Sequence, residues 1–117
     1  GPEPVAAVLE RFPELPLIVA HMGMGEYPEF LDLAERFENV YLDTTMAFTD
    51  FVEETMPFPE AERGRLADLG HKVLLGTDFP NIPYPYAHQL EALAGLGMGD
   101  DWLRAVWHGN AARLFGL

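Results

Sequence analysis

Three short runs decide the fold: residues 15–22 (LPLIVAHM), residues 39–45 (NVYLDTT) and residues 72–77 (KVLLGT), the last leading into Asp78-Phe79-Pro80. Each has the length of a strand and is rich in β-formers. The first is followed by Gly23 and Gly25. Apolar runs without strict alternation are what strands covered on both faces show, as parallel strands usually are.

Between the runs, apolar residues recur at helical spacing. Val5, Val8, Leu9 and Phe12 predict a helix over residues 4–12, with Pro4 suited to the first turn and Pro13 closing it. Phe30, Leu31, Leu33, Ala34 and Phe37 predict an amphipathic helix over residues 28–37. Residues 59–69 read as a helix ended by Gly70. Residues 86–94, 100–107 and 110–115 read as further helices, and residues 46–58 as a long phenylalanine-bearing loop with one helical turn. The order is α-βα-βα-βα with extra helices at the end. Such alternation implies an α/β fold with parallel strands joined by right-handed crossovers. Three units leave both sheet edges open, and a closed eight-unit barrel needs about 250 residues. Part of a barrel is therefore expected, with a small complete α/β sandwich as the alternative. The opening Gly1-Pro2, without an initiator methionine, adds the expectation of an upstream region.

Composition narrows the function classes. At 117 residues the chain is one domain or a piece of one, and 49% hydrophobic with 22% charged residues excludes a disordered tail. Seven basic against 19 acidic residues give a net charge of −12, which repels phosphate backbones and anionic lipid. No nucleic-acid partner and no membrane partner are expected. No apolar run approaches the ~20 residues of a membrane span. The absence of cysteine removes disulfides, thiolate metal sites and cysteine nucleophiles. Without a signal-peptide pattern, a soluble cytoplasmic protein is the expectation.

In parallel α/β folds chemistry sits where strands end. The first run ends at His21, the second at Asp43-Thr44 and the third at Asp78. Strand alternation would put Leu17, Val19 and His21 on one side and Ile18, Ala20 and Met22 on the other. An imidazole above an aliphatic face suits metal binding or proton transfer; the bland reading is a core histidine bonded to a backbone carbonyl. Asp78 directly follows an apolar strand, where burial of a carboxylate is costly without a cation or donors. A divalent ion with its bound water would supply that compensation. A turn or helix cap is the alternative, the cap version weakened by Pro80, Pro83 and Pro85. Adjacent parallel strands lie roughly 4.8 Å apart, so with one strand between them His21 and Asp78 are expected to face a common centre.

The other polar candidates carry less. His71 falls at the far end of the third strand and reads as a surface residue. His88 opens a helix near the site, as a substrate or supporting contact or as plain surface. His108 reads as a helix-end or packing residue, Asp43 as a loop hydrogen-bonder ahead of a ligand-orienting group, and Glu53-Glu54 and Asp100-Asp101 as solvated faces or caps. The aromatic loop from Phe48 to Phe58 is either a pocket wall or packing.

Three segments in order, LPLIVAHMGMGEYPEFLDLAERFENVYLDTT, KVLLGTDFP and HGNAARLFGL, resemble the C-terminal portion of the amidohydrolase superfamily, in the subfamily related to aminocarboxymuconate-semialdehyde decarboxylase. The resemblance implies a (β/α)8 TIM-type barrel of which these are the sixth, seventh and eighth strands. It implies that Asp78 is a metal ligand that also handles the proton of an attacking water. It implies that His21 polarises substrate or activates water, the equivalent histidine being a metal ligand in other branches. Asn110 would bond the barrel backbone. The implied cofactor is a divalent metal ion, zinc above all, and the implied substrate a small carbonyl or carboxylate compound that is hydrolysed or decarboxylated.

The family's first-strand His-x-His pair and fifth-strand histidine have no counterpart here, and Met22 and Met24 stand where relatives often have glycine. One carboxylate and one histidine fall short of the three ligands usual for catalytic zinc. The chain alone is expected to be inactive. The rival reading is a non-catalytic acidic α/β module that self-associates through open strand edges, and both readings expect a homo-oligomer.

Overall fold

The computed structural model describes residues 1–117. Helix α1 (Pro2–Arg11) leads into β1 (Leu17–Val19), a tight turn (Ala20–Gly23), α2 (Tyr27–Arg36) and β2 (Val40–Asp43). The loop after β2 holds the short α3 (Asp50–Glu53), and α4 (Arg63–Asp68) precedes β3 (Val73–Leu74). Helices α5 (Tyr86–Ala94), α6 (Asp100–Arg104) and α7 (Asn110–Phe115) follow. The sheet is parallel throughout, in the order β1-β2-β3.

Two strands are shorter than their apolar runs. β1 stops at Val19 because His21, Met22 and Gly23 take successive left-handed conformations (φ 55°, 58° and 71°), which turn the chain out of the sheet. β3 stops at Leu74 because the Leu75 N–H goes to the Val106 carbonyl and the Gly76 N–H to Thr44 Oγ1, not to the β2 backbone.

Register explains the core. Val19 pairs with Leu42 and Leu42 with Val73, and all three are buried on the face the helices cover. Leu9, Leu31, Leu66, Leu93 and Val106 complete that layer with no exposed surface. Ile18, paired with Tyr41 on the opposite face, is 42% exposed. The expected alternation therefore fails at His21: Leu17 and Val19 lie toward the helices, and the turn, not the strand, aims the imidazole.

Polar ties fasten the helices. Lys72, the one lysine, is buried, with Nζ donating to the Ala34 and Phe37 carbonyls at 2.6 and 2.8 Å, so it closes the end of α2. Burial pushes its ammonium below the usual lysine range. Arg65 joins α4 to α2 through Glu35 at 2.7 Å and Asp32, and holds Glu62 at 2.8 Å. Gly70, expected as a helix-ending glycine, is needed for packing: a Cβ there would lie 2.5 Å from Trp102. The two C-terminal helices predicted separately run on through a wide turn at Ala105–Gly109. No helix is long and apolar enough to cross a membrane.

Candidate active site

All three strand ends open on the same side of the sheet, since the strands are parallel and adjacent. At the first, Met22 is fully buried and anchors the turn, while Gly23 lets α2 come close; a Cβ on Gly23 would lie 2.2 Å from the Phe30 ring. The result lifts His21 over the end of β2, where its Nδ1 sits 2.9 Å from the Thr45 carbonyl. A carbonyl only accepts, so Nδ1 carries a proton, and in the neutral ring Nε2 then carries the lone pair. Nε2 makes no hydrogen bond within the chain. His21 thus satisfies the bland expectation at one nitrogen and leaves the other available for chemistry.

The second strand end is a brace for the first. Asp43 Oδ1 accepts the Thr45 N–H at 2.6 Å, the loop bond expected of it. Gly76, leaving β3, packs bare backbone on the same pair: a Cβ there would lie 2.2 Å from both Asp43 Oδ1 and Thr45 Oγ1. The loop beyond carries two further left-handed residues, Met46 and Phe48, a costly conformation for side chains of this size. Thr49 Oγ1 ties it by donating to the Met46 carbonyl at 2.7 Å.

At the third strand end Asp78 is exposed, in a left-handed conformation (φ 57°), followed by a cis Phe79–Pro80 bond. The cost-of-burial argument for Asp78 is thereby corrected, because its carboxylate remains in water. Its carbonyl accepts the Asn81 N–H at 2.7 Å, which makes a turn and not a helix cap. No hydrogen bond or ion pair joins His21 to Asp78. No three histidine, aspartate or glutamate side chains converge as a metal-binding group.

A cavity of about 430 Å³ is lined by Asp50, Phe51, Glu54, Pro83, Tyr84 and His88. His88 Nε2 is 2.7 Å from Asp50 Oδ1, and its ring lies 5.1 Å from that of Tyr84. The hydrogen bond from His88 holds the Asp50 carboxyl below its usual range. Burial, reinforced by the charge of Asp78, pushes the Tyr84 phenol up. The loop from Phe48 to Phe58 divides its aromatics: Phe51 lines this cavity, whereas Phe48 and Phe58 are buried against each other. His71 and His108 are exposed. Two residues of this region escaped sequence reasoning, Thr45 and Gln89. The one available signal was a glutamine four residues before Leu93, on the same face of the helix YAHQLEALA.

The sequence pattern of the amidohydrolase family matches residues 2–117. The chain belongs to the amidohydrolase family. No curated protein matches it. Among solved structures, this chain is similar to an uncharacterised TIM-barrel protein from Bordetella bronchiseptica, with 27% identity and a TM-score of 0.79 over 98% of the chain. It also shares the fold of a probable 2-pyrone-4,6-dicarboxylic acid hydrolase from Acinetobacter baumannii, crystallised with citric acid, with 14% identity and a TM-score of 0.60 over 99% of the chain. It spans 39% of the first of these proteins and 50% of the second. The three βα units therefore have the architecture of part of a (β/α)8 barrel.

Proposed function

We propose that this chain contributes His21 and Asp78 to the active site of a metal-dependent hydrolase that acts on a small carbonyl or carboxylate compound. One observation carries the reading. Both residues follow the carboxyl ends of parallel strands in a barrel-type sheet, the end at which such barrels hold their sites, and His21 keeps Nε2 free there.

The donors present do not make a metal site by themselves. Asp78 and His21 number two, against the three protein ligands usual for catalytic zinc, and no three histidine, aspartate or glutamate side chains gather in the chain. Asp78 would hold the ion together with residues outside these 117. A divalent ion bound there would lower the pKa of its water toward neutrality. His21, with Nδ1–H fixed on the Thr45 carbonyl, would meet the substrate through Nε2 and exchange a proton or hydrogen bond with charge developing on it. Decarboxylation would use the same two groups.

The open edge of β1 supports self-association. Val8, Phe12, Leu15 and Ile18 near it are 47%, 54%, 41% and 42% exposed, an apolar strip of the kind that partners cover. The function reading is tested by elemental analysis after zinc loading and desalting, in the barrel-length protein, with Asp78→Ala alongside. Stoichiometric zinc lost in the variant supports it. Equal zinc in both proteins contradicts the role of Asp78.

A further inference from the structure

Gln89 is fully buried on α5, and its side-chain amide is satisfied on every side. Nε2 donates to the Thr44 and Ala47 carbonyls, both at 3.1 Å. Oε1 accepts the Met46 N–H at 3.0 Å and the Tyr84 hydroxyl at 3.2 Å. Residues 44, 46 and 47 are therefore gripped by one amide, and the residue they enclose is Thr45. The Thr45 carbonyl is the acceptor of His21 Nδ1 at 2.9 Å.

The grip has a load to carry. Met46, inside it, is left-handed, and so are His21 and Met22 on the other side of the hydrogen bond. Left-handed non-glycine residues are strained and persist only where surrounding contacts over-determine them. Without Gln89, the Ala47 carbonyl and the Met46 N–H would be left unpaired and the Thr44 carbonyl would keep only the Ala47 N–H at 2.9 Å, so the strained turn would find relief by rotating the peptide units from 45 to 47.

We infer that Gln89 is a positioning residue that fixes the tautomer of His21. By clamping the turn around Thr45 it aims that carbonyl at Nδ1, which holds the proton there and keeps Nε2 as the lone-pair nitrogen facing the strand ends. This inference rests on the proposed role of His21, but it is tested without activity. In water a free imidazole favours the Nε2–H form, so the Nδ1–H form reports the clamp directly.

The experiment is long-range nitrogen–proton NMR of histidine-labelled protein above the His21 titration. The wild type is expected to show a pyrrole-type Nδ1 and a pyridine-type Nε2 for His21. Gln89→Met keeps the volume and removes all four bonds, and the major form is expected to become Nε2–H. Where that variant does not fold, Gln89→Glu retains an acceptor for Met46 but places a lone pair against the Thr44 and Ala47 carbonyls, and is expected to shift the same populations. Leu93→Ala, on the same helix and fully buried, controls for general loosening and is expected to leave Nδ1–H in place. An Nε2–H wild type, an unchanged tautomer in the folded Gln89 variant, or an equal shift in Leu93→Ala would each overturn the inference. An inactive enzyme with the expected tautomers would instead defeat the function reading and leave the clamp standing.

Discussion

Asn110 and Tyr27 show how single polar atoms are held in this molecule, and both make measurable demands. The Asn110 amide donates to the Gly70 and Val73 carbonyls at 2.6 and 2.7 Å while 1% exposed. An unsatisfied buried acceptor costs about 1–3 kcal/mol, so Asn110→Ala is expected to lose roughly 3 kcal/mol. Urea unfolding would read this as a lower midpoint at unchanged slope. Tyr27 is 3% exposed with its hydroxyl 3.3 Å from the Met56 carbonyl, and burial followed by the charge of Glu53 raises its phenol from 10.0 to about 12. The folded state thus holds this proton more tightly than the unfolded chain does. The stability it contributes is fully present below pH 10 and is lost as pH rises from 10 toward 12. Ultraviolet titration should show Tyr27 ionising late, and Tyr27→Phe should remove its share of the alkaline loss. Asn110 was legible in the sequence because HGNAARLFGL resembled a known terminal helix. Gln89 was not, because one glutamine in a helix says nothing about four partners up to 45 residues away in sequence.

At the scale of elements, the kind of each segment was readable and its ends were not. LPLIVAHM reads as eight residues of strand because hydrophobicity continues past Val19, yet the chain leaves the sheet at Ala20 through a left-handed His21-Met22-Gly23 turn. Only Gly23 advertises such a backbone; histidine and methionine adopt it because the buried Met22 side chain and the α2 contact compensate. Gly23→Ala meets both a φ of +71° and the Phe30 ring at 2.2 Å. Strain and overpacking together are expected to cost about 2–5 kcal/mol, and a thermal melt should show it. Gly25, with φ +90° but nothing within 4 Å of a Cβ, should lose only the smaller conformational part. Lys72 closes α2 from a strand away, and Lys72→Met would strand the Ala34 carbonyl and leave the Phe37 carbonyl only the Val40 N–H at 3.3 Å. The expected loss is about 1–3 kcal/mol, measurable as faster hydrogen exchange in the last turn of α2.

For the whole molecule, the parallel three-strand order followed from alternating βα units, and its relation to a barrel followed from motif order across nearly the entire chain. The site was half legible. Strand ends drew attention to His21 and Asp78 and a backbone-carbonyl partner for His21 was one of the readings, but pattern alone could not foresee that Asp78 stands in water or that the partner is Thr45. Those facts depend on turn geometry. A sheet with an open β1 edge beside exposed Phe12, Leu15 and Ile18 should associate despite a net charge of −12. Sedimentation equilibrium is expected to show concentration-dependent dimers, and Ile18→Lys, at that edge, is expected to weaken them. The central claim is that His21 and Asp78 serve one reaction. It is tested most directly by turnover of small carbonyl and carboxylate substrates in the barrel-length protein, comparing wild type with Asp78→Ala, His21→Ala and the double variant. The account predicts metal-dependent turnover that falls by about 10²–10⁴ in each single variant, with the double variant little worse than either, since residues acting as a unit are not additive. Full turnover in Asp78→Ala or in His21→Ala would contradict it.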